Sequence, residues 1–305
     1  MELQKALNQI ILQVGGESAS GSVATYIPEL AHVQADLLAI AVCDTKGNIF
    51  SAGDADHRFT LQSVSKAFSL ALALKQSGEA VFNTVGYEPT GNPFFSMLPM
   101  ESEYGKPRNP FVNSGALAVT GMLQGKSATA KYSAFLDFLS ELCDGQRFFM
   151  DESTYYSESE TGFRNRAMAN FLRQYGWIQD VDASAEAYFM QCSTLTNVQE
   201  LARAGLFLAN RGMDPITGMQ VISPQHCRTI VTLMTTCGTY DYAGHVAIDI
   251  GIPCKSGVSG AILAIVPGKY SIAAFSPRLG DHGNSVAGMS MLQSLSQSME
   301  LSLFQ

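Results

Sequence analysis

Leu61-Gln62-Ser63-Val64-Ser65-Lys66 runs directly into Ala67-Phe68-Ser69-Leu70-Ala71-Leu72-Ala73-Leu74, an apolar run that predicts a buried helix. Side chains three apart on a helix are neighbours, so the Lys66 amine is expected on the same side as Ser63, one turn along. Lys66 is the only charged residue between Val64 and Leu74. Burial disfavours an ammonium and lowers its pKa, so a neutral amine there could accept the proton of the serine hydroxyl. The helix N-terminus adds unpaired N–H groups and a positive potential for a developing oxyanion. Ser63 is therefore the expected nucleophile, with Ser65 as the nearest alternative. The structural alternative is a serine N-cap followed by a lysine that snorkels out of a core helix.

On either side of this segment the patterns separate into two kinds. Leu37 to Cys43 and Asn48 to Ser51 predict a hairpin about Lys46-Gly47, and Val246 to Ile250, Ala261 to Val266 and Ser271 to Phe275 predict three more strands, with Pro267-Gly268 as a turn. Between them lie helical patterns at Ser114–Leu123, Ala128–Leu142, Arg164–Gln174, Ser184–Cys192, Asn197–Asn210 and Pro224–Thr235, and segments 3–14 and 285–302 are amphipathic. The expected fold is mixed α/β (α+β): a mainly antiparallel sheet with strands from both ends of the chain, flanked by the terminal helices, with an inserted helical subdomain. One domain over 1–305 is expected, its α/β layer from about 1–62 and 241–305 and its helical part from about 63–240. A cleft between the two parts is the default site.

Composition narrows the function. The 305 residues are 46% hydrophobic and 15% charged, which is globular rather than disordered. A net charge of −8 argues against nucleic-acid or anionic-membrane partners, which need a basic surface. No apolar run reaches the roughly 20 residues of a bilayer span. The first twelve residues lack the basic and uninterrupted apolar regions of a signal peptide. The six scattered cysteines form no C-x-x-C pair, so no zinc site is expected, and reduced thiols in a cytoplasmic protein are the economical reading.

Late in the chain, Lys255-Ser256-Gly257-Val258-Ser259-Gly260 precedes Ala261–Val266. An early S-x-x-K and a late K-[ST]-G, in that order, resemble serine β-lactamases and penicillin-binding proteins. Other segments shift the resemblance: Ala24-Thr25-Tyr26-Ile27-Pro28-Glu29-Leu30, Val85-Gly86-Tyr87-Glu88-Pro89-Thr90-Gly91-Asn92-Pro93-Phe94, Arg108-Asn109-Pro110-Phe111-Val112-Asn113-Ser114-Gly115-Ala116, Phe163-Arg164-Asn165 and Cys237-Gly238-Thr239-Tyr240. With the two lysine motifs, these resemble the serine-dependent glutaminases, from about residue 21 to Gly283-Asn284-Ser285. That family has a β-lactamase-like fold and hydrolyses L-glutamine to L-glutamate and ammonia.

The resemblance implies a role at each matching position. Ser63 falls on the nucleophile, Lys66 on its base and Tyr240 on the tyrosine that joins them in proton transfer. Tyr26 matches a tyrosine whose hydroxyl reaches the substrate. Asn113, Glu158, Asn165 and Tyr188 match the residues that hold the amino-acid end of glutamine, and Val258 the residue whose N–H completes the oxyanion hole with that of Ser63. The residue types suit the ligand, since an α-ammonium needs an anion and the rest of the pocket needs donors and acceptors. Glu160 rivals Glu158 for that anion. The resemblance also implies no cofactor, no metal and a homo-oligomer, with a tetramer favoured. Departures from the usual pattern are Phe95 where asparagine is common, Ser114 for alanine, Arg166 for a small residue, and Ser259 and Ala261 for glycines. The alternatives are a β-lactam-recognising serine acylase and a catalytically silent binding protein on the same scaffold.

Overall fold

Short strands, most of them buried on both faces, build the centre of the molecule. In the computed structural model, which describes residues 2–15 and 20–304, the strands are β1 (Ala39–Asp44), β2 (Ile49–Gly53), β3 (Cys254–Ser256), β4 (Ala261–Val266) and β5 (Tyr270–Phe275). They form one antiparallel sheet in the order β2-β1-β5-β4-β3. The early strand β1 pairs with the late strand β5 from Ala39↔Phe275 to Asp44↔Tyr270. In the β1–β2 turn, the Asp44 carboxylate accepts from Lys46 N–H and Asn48 N–H, both at 2.9 Å, and Gly47 takes φ 84°.

The longer helices are α1 (Glu2–Val14), α2 (Ser65–Ser77), α3 (Asn113–Met122), α4 (Ala128–Leu142), α5 (Glu152–Thr161), α6 (Phe163–Gln174), α7 (Val181–Cys192), α8 (Val198–Ala204), α9 (Pro224–Cys237), α10 (Ala243–Asp249) and α11 (Val286–Met299). Alternation along the strands divides the interior in two. Ile40, Val42, Ile262 and Ala264 join one core with Leu3, Leu7, Ile10 and Val14 of α1 and Met291, Leu292 and Leu295 of α11. Ala39, Ala41, Leu263, Ile265 and Phe275 join the other core, with the central helices. Each fully buried Leu, Ile or Val contributes about 1.5–3 kcal/mol.

Helix α2 is the axis of the second core. Every residue from Ser65 to Leu74 is buried, the signature of a helix enclosed all round. It packs on α3 and α9 and ends at Gly78, φ 56°. Ser63 does not open this helix. It sits in a preceding 3-10 turn, Gln62–Val64, which lies against β3.

Two expectations are corrected. Val246 to Ile250, expected as a strand, belongs to helix α10. Its apparent alternation would put Val246, Ile248 and Ile250 on one face, yet Val246 and Ile250 are buried while Ile248 is 85% exposed, which is an i, i+4 pattern. The single helix expected over Asn197–Asn210 is broken at Gly205 into α8 and a short helix, Leu206–Ala209. A Cβ at Gly205 would lie 2.5 Å from Ser271 Oγ and 2.7 Å from Leu263 Cδ1, so the chain passes too close to the sheet there for a side chain. Among the described residues, no helix is long and apolar enough to cross a membrane.

Candidate active site

Three elements remote in sequence bring their polar side chains to the N-terminal end of α2. Lys66, from its first turn, is 2% exposed. Its Nζ lies 2.9 Å from Phe111 O, 2.7 Å from Asn113 Oδ1 and 3.2 Å from the Tyr240 hydroxyl. Desolvation pulls its pKa down from 10.5 to about 7, against weaker opposing pulls from Cys192 and Glu158. The Tyr240 hydroxyl is also 3.1 Å from Lys255 Nζ, and burial pushes its pKa well up, with Ser63 pulling it partly back. Lys255 is wholly buried on β3, and desolvation followed by the nearby Lys66 charge holds it well below the usual lysine range. Among the described residues Lys66 makes no hydrogen bond to Ser63. Tyr240 stands between them.

Both residues that aim this machinery have strained backbones. Gln62 (φ 45°) and Tyr240 (φ 60°) occupy the left-handed region without being glycine, at a cost of order 1–3 kcal/mol each. The strain at Gln62 turns Ser63 toward the cleft, and the Gln62 amide lies 3.5 Å from Glu158 Oε2.

The cleft has a volume of about 380 Å³, within the range of small-molecule sites. Ser63, Asn113, Glu158, Asn165, Tyr188 and Tyr26 all line it. Asn113 is the hub. Its Oδ1 accepts from Lys66 and, at 3.4 Å, from the Tyr188 hydroxyl, while its Nδ2 donates to Asn165 Oδ1 at 2.9 Å. Asn113 therefore does not cap α3, whose start at Val112 has no side-chain cap; just upstream the Asn109 side chain accepts from Phe111 N–H and Val112 N–H, at 3.0 and 3.1 Å. Glu158 is 6% exposed, and burial pushes its carboxyl up to about 8, with Gln62 and Lys66 pulling it partly back. Glu160 is exposed and does not line the cleft. The Tyr26 ring forms part of the rim, 56% exposed.

Val258 follows β3 in a tight loop. Its N–H and that of Ser63 find no acceptor in the protein among the described residues. Gly257 brings the two segments together, since a Cβ there would lie 2.9 Å from Leu61 O and 3.4 Å from Ser63 N.

A site of this composition has relatives. The model of the glutaminase family matches residues 21–304. The chain belongs to that family. A glutaminase of Alkaliphilus oremlandii (strain OhILAs) is 44% identical over 307 residues, covering 100% of this chain and 99% of the relative. A solved probable glutaminase, ybaS, superposes with a TM-score of 0.94 at 40% identity, covering 99% of this chain and 98% of the other. A probable glutaminase from Bacillus subtilis, solved in complex with 6-diazo-5-oxo-L-norleucine, superposes at 0.89 with 34% identity, covering 99% and 96%. The fold is accordingly the β-lactamase-like fold of the glutaminases, and the family's reaction is hydrolysis of glutamine to glutamate.

The positions expected to depart from the usual family pattern fall in distinct places. Arg166 points away from the cleft, bonding Glu186 at 2.5 Å and Ser159 Oγ at 2.8 Å and stacking on Phe189. Ser114 and Ala261 are buried behind the site. Ser259 is buried with an unpartnered hydroxyl beside the Val258 loop. Phe95 alone enters the cleft lining. Sequence reasoning missed Lys255 as a partner of Tyr240 and Gln62 as a partner of Glu158. The signal for Lys255 was present in the K-S-G segment, which reads as a strand once Cys254 is included.

Gly257→Ala should lower kcat of this glutaminase by about 10²-fold, the usual loss when one oxyanion donor is displaced. Thermal unfolding and kcat measured on the same preparation check this, and an unchanged kcat would mean that the Ser63 and Val258 N–H groups do not act together.

Proposed function

We propose that hydrolysis of L-glutamine runs through a glutamyl ester on Ser63, with Tyr240 relaying the proton to Lys66. The observation that carries this is the set of partners around Lys66 Nζ. A neutral amine has two N–H donors and one lone pair. Phe111 O and Asn113 Oδ1 can only accept, so they take both donors and leave the lone pair to the Tyr240 hydroxyl. Tyr240 then gives its proton to Lys66 as it takes that of Ser63, while Lys255 stabilises charge passing through the phenol oxygen.

Ser63 Oγ attacks the side-chain carbonyl carbon of glutamine, and the oxyanion is held by the N–H groups of Ser63 and Val258. Collapse breaks the C–N bond, the proton on Lys66 returns through Tyr240 to the departing nitrogen, and ammonia leaves. Water then attacks the ester by the same relay, releasing glutamate and restoring the Ser63 hydroxyl. Acid-quenched enzyme should carry one glutamyl group on the peptide containing Ser63, read by mass spectrometry. A turning-over enzyme that accumulates no such adduct in a pre-steady-state burst, with and without hydroxylamine trapping, would count against the ester. Turnover of glutamine with no acylation by a penicillin reporter separates this reading from a β-lactam acylase, and any turnover excludes a silent binding protein.

In this reading Asn113, Asn165, Tyr188 and Tyr26 orient the amino-acid end, and Glu158 pairs with the α-ammonium. Leaving an ammonium unpaired in a partly desolvated cleft costs about 2–5 kcal/mol. Glu158→Gln should therefore lower kcat/KM for glutamine by at least about a hundredfold. Glutaramate, the same amide without the α-amino group, should lose far less. Equal losses on both substrates would assign Glu158 a different role.

All six cysteines are buried free thiols, which suits a reducing, cytoplasmic compartment. Resemblance to the family favours a homotetramer, which light scattering on the purified chain would test.

A further inference from the structure

We propose that a groove at the N-terminal end of α9 binds an aliphatic carboxylate, its chain on the apolar walls and its head group held by Arg211 and Arg228. The proposal stands apart from the reading of the catalytic cleft, with which this groove shares no lining residue.

The groove has a volume of about 370 Å³, room for a small organic molecule. Leu208, Ala209, Pro224, Val231 and Pro267 supply its apolar surface. They come from the short helix Leu206–Ala209, from α9 and from the turn between β4 and β5. Hydrogen bonds tie these parts together. Gly268 N–H donates to Ala209 O at 2.7 Å, and the buried Cys227 thiol in the floor donates to Leu208 O at 3.2 Å. The walls are thus a fixed part of the fold.

The charge of the groove is one-sided. The chain carries 27 acidic residues against 19 basic ones, yet the lining holds Arg211 and Arg228 and no Asp or Glu. Both arginines are exposed, and among the described residues neither guanidinium makes a hydrogen bond or ion pair. By contrast Arg58, Arg108, Arg166, Arg203 and Arg278 each hold a carboxylate. Helix α9 has no acidic residue along its length, although a helix N-terminus favours negative charge. The neighbouring carboxylate of Glu79 is engaged by His226 Nε2 at 3.2 Å and by the Gln225 amide at 3.3 Å. Arg211 takes φ 57° and is followed by Gly212 at 83°, where a Cβ would lie 2.4 Å from Ile222 O. A left-handed residue other than glycine is held so by its surroundings, and the Arg211 charge reaches the Cys227 thiol in the floor.

These features select the ligand. An inorganic anion would leave the apolar walls in water, and a neutral hydrocarbon would leave both guanidinium groups unanswered. A carboxylate accepts the parallel N–H donors of a guanidinium, while an alkyl chain covers Leu208, Val231 and the two prolines.

Octanoate is the probe, titrated calorimetrically into the full chain beside octan-1-ol and inorganic phosphate. One octanoate per chain should bind, at least about tenfold more tightly than octanol, and phosphate at equal concentration should not displace it. Arg211→Gln and Arg228→Gln should each weaken octanoate about tenfold and leave octanol within about twofold. Thr232→Trp, at an exposed position of the lining, should block both ligands. Glutamine turnover and thermal melts matching the parent verify that the variants are folded. Absence of binding, many octanoates per chain, equal affinity for octanol, displacement by phosphate, or affinity that survives these substitutions overturns the proposal. A parent chain that sediments as a larger species than Thr232→Trp would give the groove to a second copy of the chain instead.

Discussion

Ser63→Ala is expected to lower kcat by a factor on the order of 10⁴ or more, as removal of a serine nucleophile does elsewhere. The variant should fold normally. Tyr240 keeps Lys66 and Lys255 as partners without the Ser63 hydroxyl, so the loss in stability is no more than one hydrogen bond, about 1 kcal/mol. The variant should still bind glutamine, because Asn113, Glu158, Asn165 and Tyr188 are untouched. Ammonia release and calorimetric binding on one preparation make the comparison. Activity within about tenfold of the parent would remove Ser63 from the role, and attention would pass to Ser65, which is wholly buried.

Lys66→Arg should be nearly as damaging, on the order of 10³-fold or more in kcat, because a guanidinium cannot surrender its proton to become a base. With lysine in place, the sign of the pH dependence follows from burial. In the proposed relay the working form is neutral, and burial lowers its pKa to about 7, so kcat should fall about tenfold per unit below that value and level off above it. The limb belongs to the lysine–tyrosine pair rather than to either residue alone. Glu158 adds a second ionisation, since in the proposed role it must be charged to hold an ammonium and burial pushes its carboxyl up to about 8. That step should appear in kcat/KM and vanish from kcat, because bound ammonium stabilises the carboxylate. An active arginine variant, or a kcat that does not fall on acidification, would show that residue 66 supplies charge only.

The parts of this architecture legible in the sequence were those where one physical requirement dominates. A helix that is apolar on every side is buried wherever it occurs, so α2 could be read from its composition. Strands β4 and β5 were equally plain, because both faces meet a core. Where polar residues carry the structure, the signal fails. Helix α5, Glu-Ser-Thr-Tyr-Tyr-Ser-Glu-Ser-Glu-Thr, buries only Thr154 and Glu158, a one-turn spacing invisible to any measure of hydrophobic period. The segment at Val246–Ile250 misled for the opposite reason: β-branched residues at alternate positions read as a strand, but the pattern does not say which of them reach the core. For the site, the S-x-x-K spacing located Ser63 and Lys66 but implied a direct contact between them. The intervening hydroxyl of Tyr240 comes from a strained turn far along the chain, and no local pattern encodes that approach.

The pairing of β1 with β5 joins residues that lie about three quarters of the chain apart. During synthesis, β1 leaves the ribosome early and has no central partner until residue 275 follows. Closing so long a loop is slow compared with local helix formation, and until it closes one edge of β1 stays open to other chains. Lys255 and Val258 also belong to this late segment, and Tyr240 comes only shortly before it. If Tyr240, Lys255 and Val258 act as proposed, the site cannot assemble until this late segment is made, and a chain that stops before β5 keeps an unpaired edge on β1. Cells making this protein would depend on chaperones to shield that strand for most of the time needed to translate it.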